Sequence, residues 1–172
     1  MNKGFIAILM GSDSDLGTMQ NTMDILDQLG IAWEVKITSA HRTPETTRDY
    51  VLGADRRGCQ VFIAAAGLAA HLAGAVASLT LKPVIGVPIE AGPLRGEDAL
   101  LSTVQMPGGI PVACVAIGKA GACNAAYLAA QILALGDDEI AAKLVTERKQ
   151  QARNIIDRDK QLRQHLDKSS SG

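Results

Sequence analysis

The chain has 172 residues, enough for one domain with a substantial core and short for two. Hydrophobic residues make up 47% and charged residues 20%, the balance of a soluble globular protein, and a net charge of −1 argues against a dedicated nucleic-acid binder. Only Phe5, Trp33, Tyr50, Phe62 and Tyr127 are aromatic, which leaves few rings for stacking bases or a flavin.

Five short apolar runs, rich in β-branched residues, recur along the chain and predict strands: FIAILM (5–10), WEVKI (33–37), QVFIAA (60–65), PVIGV (83–87) and PVACVAI (111–117). Between the first two, Leu16, Met19, Met23 and Leu26 fall on one helical face and Gly30 stops the helix. The next interval, PETTRDYVLGADRRG, predicts a helix with Thr43 as N-cap, Pro44 at its first position and Gly58 at its close. Strands alternating with helices in this way imply a parallel sheet covered on both faces. The expected fold is therefore α/β, a three-layer αβα flavodoxin-like sheet, over residues 1–136.

Residues 59–81 carry no charge and are long enough to span a membrane. The run is nevertheless rich in Ala and Gly and has His71 near its centre, so a buried strand, a glycine turn and a buried helix explain it better. The segment 87–112, rich in Pro and Gly, reads as a crossover able to form a lid. Residues 137–172 hold 15 of the 35 charged residues. Within them, 137–166 predicts a helical arm from about Asp138 to Leu166, with sparse apolar positions at Ile140, Leu144, Ile155, Ile156 and Leu162. It suits a solvated appendage or a subunit contact equally. The tail, 167–172, is expected to be disordered. Cys59, Cys114 and Cys123 lack metal-ligand or CxxC spacing and read as reduced, small apolar residues. With no leader segment visible, the expected location is the cytoplasm.

Ligands of open parallel sheets bind beyond the carboxyl ends of the strands. The first such loop, MGSDSD (10–15), offers a glycine, serine hydroxyls and a helix start. Asp13 and Asp15 disfavour phosphate, but Asp15 suits ribose hydroxyls; the same cluster could equally be an N-cap. The second, SAHRTP (39–44), places Arg42, a planar phosphate binder, beside His41, which exchanges protons near neutral pH. The third, AAAGLAAHLAG (64–74), surrounds His71 with small residues; His71 reads as a second acid/base or as a satisfied buried histidine. No metal constellation and no GxxxxGK[ST] pattern occurs, so neither a metal nor ATP is expected.

Taken in order, GSDSD (11–15), SAHRTPE (39–45), AAHLAG (69–74), PVIGVP (83–88), LLSTVQMPGGIPV (100–112) and AIGKAGACNAAYLAAQIL (116–133) resemble the N5-carboxyaminoimidazole ribonucleotide mutase family of purine biosynthesis. The resemblance implies a flavodoxin-like fold, no cofactor, a ribonucleotide as small-molecule substrate, and neither nucleic acid nor membrane as partner. It implies that Ser12, Asp15 and Arg42 bind the nucleotide and that His41 is the general acid/base. Ser14 and Ser39, in the same motifs, are expected as further contacts, and Gly67, Ala69, Ala70, His71 and Leu72 as pocket wall. It also implies a homo-octamer in which the C-terminal arm reaches neighbouring subunits. The chain departs from the family pattern at Leu16, where Trp is common, at Ala73, where Pro is common, and at Ala65 and Leu68, where Gly is common.

Overall fold

In the computed structural model, which describes residues 4–169, strands and helices alternate as the apolar runs predict. The strands are β1 (Phe5–Met10), β2 (Trp33–Ile37), β3 (Cys59–Ala66), β4 (Val84–Pro88) and β5 (Ala113–Cys114). The helices are α1 (Leu16–Leu29), α2 (Pro44–Arg56), α3 (Leu72–Ala77), α4 (Glu97–Val104), α5 (Gly118–Ala134) and α6 (Asp138–Ser169). All neighbouring strands pair in parallel, in the order β2-β1-β3-β4-β5, the flavodoxin-like arrangement. The chain leaves β1 toward β2 on one side and returns to β3 on the other, so the loops after β1 and β3 part at the carboxyl edge and open a crevice there.

Alternation along the strands divides the core into two layers. Ile6, Ile8, Met10, Val61, Ile63, Ile85 and Val87 face α1 and α5, where Ala122, Ala125, Ala126, Ala129 and Ala130 let α5 approach the sheet closely. Ala7, Leu9, Phe62, Ala64 and Val84 face α2 and α3. Each fully buried large aliphatic side chain contributes about 1.5–3 kcal/mol. The charge-free stretch resolves into β3, a loop and α3, and among the described residues no helix is long and apolar enough to cross a membrane.

Three elements differ from the sequence reading. The fifth strand keeps only Ala113 and Cys114 of the seven expected residues. Pro111 brings no N–H to the ladder, and by Gly118 (φ +68) the chain has already turned into α5. The 87–112 crossover contains a helix, α4, whose Thr103 packs over Gly86. A Cβ there would lie 2.3 Å from the Thr103 methyl, so the glycine is what admits the helix. The terminal helix runs to Ser169, past the Leu166 end that was expected, because residues 162–168 include good helix formers and no breaker. Residues 170–172 of the expected disordered tail lie outside the described residues.

The first turns of α6 are anchored. Ile140 and Leu144 pack on the α1/α5 layer, Lys143 Nζ donates to the Leu29 carbonyl at the end of α1 (3.0 Å), and Tyr127 of α5 donates to Glu147 (3.1 Å). From Gln151 to Asp167 the helix is exposed, including Ile155, Ile156 and Leu162.

Candidate active site

The loop after β1 folds on itself. Ser12 starts a short 3-10 turn (Asp13–Asp15), accepting a hydrogen bond from the Ser14 N–H (3.3 Å), while the Ser12 N–H donates to Asp15 Oδ2 (3.1 Å). Ser14 Oγ donates to the other Asp15 oxygen (3.4 Å). The capping reading of this cluster therefore holds, and it coexists with a place in the site, since Ser12, Ser14 and Asp15 all line a cleft. Asp15 is 5% exposed. Burial pushes its carboxyl above the usual carboxylate range; hydrogen bonds from Ser12, Ser14 and Gly11 pull the other way, and the Asp13 charge pushes it further up.

The loop after β2 is built around three threonine hydroxyls. Thr38 Oγ1 lies 2.7 Å from Thr47 Oγ1 and 3.2 Å from Thr43 Oγ1, and Thr47 Oγ1 donates to the Thr43 carbonyl (3.1 Å). Thr43 Oγ1 also accepts from the Ser39 N–H (2.9 Å). Thr43 does occupy the N-cap of α2, yet its hydroxyl is turned back into this network and caps no helical N–H, which corrects the capping role read from the sequence. Thr38 and Thr47 are buried, so their side of the network is shielded from water and fixes the turn that carries His41 and Arg42. Ser39 Oγ accepts from both the His41 and Arg42 N–H groups (3.3 and 3.1 Å), which leaves its own proton free to donate into the cleft.

From this platform Arg42 reaches across to the first loop, donating to the Gly11 carbonyl (3.3 Å). His41 turns toward the third loop. Its Nε2 lies 2.8 Å from His71 Nδ1, with the ring centroids 4.9 Å apart and the planes at 78°. One of the two facing nitrogens carries the proton and the other accepts it. His71 is exposed to the cleft, so the buried-histidine alternative does not apply.

These loops enclose a cleft of about 550 Å³. Ser12, Ser14, Asp15, Ser39, His41, Arg42, Gly67, Ala69, His71 and Leu72 all line it. Ala70 does not: it is 1% exposed, and its carbonyl accepts from Thr103 of α4 (3.4 Å), because the loop turns inward between Ala69 and His71. Gly11, the glycine offered by the first loop, lines the cleft too, whereas Ala40, Ala66, Leu68 and Ala91 were not picked out as lining residues from the sequence. Ala91 had no signal of its own, but the glycine beside it, Gly92, marked a tight turn. Leu68 stands out in the sequence only as a departure from the family pattern; the structure holds it at φ +56.

The sequence profile of the AIR carboxylase family matches residues 5–154. The N5-carboxyaminoimidazole ribonucleotide mutase of Bacillus subtilis is 50% identical over 157 residues, 91% of this chain and 97% of that protein. The protein of the same description from Escherichia coli is 49% identical over 156 residues, 91% of this chain and 92% of its own length. The crystal structure of Treponema denticola PurE matches with a TM-score of 0.84 at 32% identity, covering 92% of this chain and 98% of that one.

Proposed function

The chain belongs to the AIR carboxylase family, and from that premise we propose that its cleft converts N5-carboxyaminoimidazole ribonucleotide to the isomer carboxylated at ring carbon C4, in purine biosynthesis. The observation that carries this reading is the meeting of a proton-exchanging residue, His41, with a cation, Arg42, a hydroxyl-and-carboxylate loop and an apolar wall in one cleft.

Arg42, with a planar fork of donors, binds the phosphate; Ser12, Ser14 and Ser39 donate to it or to the sugar, and Asp15 accepts from ribose hydroxyls. The bond from the exocyclic nitrogen to the carboxylate carbon then breaks, its electron pair staying on nitrogen, and His41 supplies that nitrogen with a proton. CO2 is left in the cleft. An electron pair of the ring then forms the bond from C4 to CO2, and the neutral imidazole of His41 removes the proton from C4. One proton is given and one taken back, so a single histidine closes the cycle. His71, 2.8 Å from His41, orients the ring that does this. The apolar wall keeps water from the interval between release and capture.

The long α6, with half of it exposed, supports an assembly of identical subunits in which the arm 137–166 lies against neighbours, and the family resemblance makes that assembly an octamer. The protein works in the cytoplasm. The test of function supplies the N-carboxylated nucleotide without ATP or added bicarbonate. The expected result is the C4-carboxylated product. Failure there, with conversion of the uncarboxylated nucleotide plus CO2, would transfer the reading to a carboxylase.

A further inference from the structure

Released CO2 is small, uncharged and without a hydrogen-bond donor, so the polar half of the cleft has little hold on it. What keeps it near the ring is the wall. That wall is made where two loops meet, the one after β3 and the one after β4. A Cβ on Gly67 would stand 2.8 Å from the Ala91 Cβ, and one on Gly92 would stand 2.6 Å from Leu68 Cδ2. The loops are therefore clasped at two adjacent points, the second made by the Leu68 side chain.

Leu68 is held at a cost. A φ of +56 is routine for glycine and strained for a branched side chain, and it persists only where the surroundings hold it there. Glycine would take this backbone without strain. The residue is also 52% exposed, so burial of the leucine in the core does not explain its presence. What the side chain does gain is a place on the cleft, which Ala66, Ala69 and Ala91 also line, and contact with the facing loop at Gly92, which is itself at φ +64. A strained apolar side chain that reaches between two loops over a reaction space acts as a wall.

We propose that Leu68 is the retention residue of this cleft: it clasps the loop after β4 and closes the apolar wall behind which CO2 waits between release from nitrogen and capture by C4. This rests on the mutase reading. Leu68 takes part in neither bond change. The electron pair and protons move between substrate and His41 as described above, and Leu68 determines how often the CO2 that C4 captures is the molecule just released.

The experiment gives the full-length protein the N-carboxylated nucleotide with an isotopic label in its carboxylate, in buffer holding unlabelled bicarbonate. Mass spectrometry reads the labelled fraction of the product early in the reaction, after subtraction of spontaneous substrate decarboxylation measured without protein. The unsubstituted chain keeps most of the label. Leu68→Gly and Leu68→Ala lose label to the dissolved pool several-fold more often, while Leu68→Met, long enough to reach Gly92, retains it. Conversion with equal label retention in all four proteins overturns the proposal and leaves the mutase reading standing. No conversion by the unsubstituted chain overturns the mutase reading, and the retention role falls with it.

Discussion

The loops after β1 and β2 tie their polar atoms into local hydrogen bonds, through Ser12, Asp15, Ser39 and the three threonines, whereas the loops after β3 and β4 meet through Gly67, Leu68, Ala91 and Gly92, with His71 as the polar side chain they bring to the cleft. The first pair presents charge and protons at fixed positions. On the mechanism proposed above, the second would exclude water and hold what the first pair releases. Preorganised donors gain strength from a dry wall, so each half raises the value of the other. The division also separates two kinds of failure: loss of rate or binding from the polar half, and loss of CO2 from the apolar half.

The largest effect expected lies in the polar half. His41→Asn should lower turnover by about a thousand-fold, the scale of lost acid–base catalysis. The side chain is exposed, so circular dichroism and the melting temperature should match those of the unsubstituted protein. Wild-type-like turnover in that variant would remove proton transfer from the polar half and undo the comparison.

The polar half was legible in the sequence because its chemistry resides in side chains at strand ends: GSDSD and SAHRTP follow apolar runs, and the parallel-sheet rule places both at one edge. The apolar half was not. Its chemistry resides in backbone angles and close approaches, and nothing in the letters of AAAGLAAHLAG says that Leu68 takes a left-handed conformation or that Ala70 turns inward to meet Thr103. The same limit hid α4, since Pro and Gly around it concealed eight helical residues. It also hid the exposure of His71, which small neighbours made look like a core residue.

A middle-sized effect tests how the polar half is held in place. Thr47 touches no part of the cleft, but its hydroxyl completes the network under the His41–Arg42 turn. Thr47→Val keeps the volume and removes the hydroxyl, leaving Thr38 short of a partner. Stability should fall by about 1–2 kcal/mol, seen as a melting temperature lower by roughly 2–8 °C. The looser turn should lower kcat/KM about ten-fold. Thr47→Ser restores the hydroxyl and should recover most of the activity; if serine and valine variants are equally impaired, packing rather than the network positions the turn.

The smallest effect lies where the two halves share a boundary. Asp15 is a polar residue under the conditions of the core: burial raises its carboxyl above the usual range despite the hydrogen bonds from Ser12, Ser14 and Gly11. A carboxyl whose folded pKa is raised favours the native state while it is protonated, below its unfolded value of about 3.9, and that contribution is lost as pH rises through the higher folded value. At neutral pH the folded protein therefore bears the cost of a buried charge, a cost that the proposed acceptance of hydrogen bonds from ribose hydroxyls would explain. Asp15→Asn should lift that cost. Its melting temperature should match the unsubstituted protein's below about pH 3.5 and exceed it modestly as pH rises through the carboxylate range. The KM for the nucleotide should rise several-fold with kcat little changed, because the acceptor toward the sugar is weakened and the proton-moving histidine is untouched. A variant less stable at neutral pH than at acid pH, relative to the unsubstituted chain, would mean that ionised Asp15 holds the loop together, and that this part of the polar half exists for folding before binding.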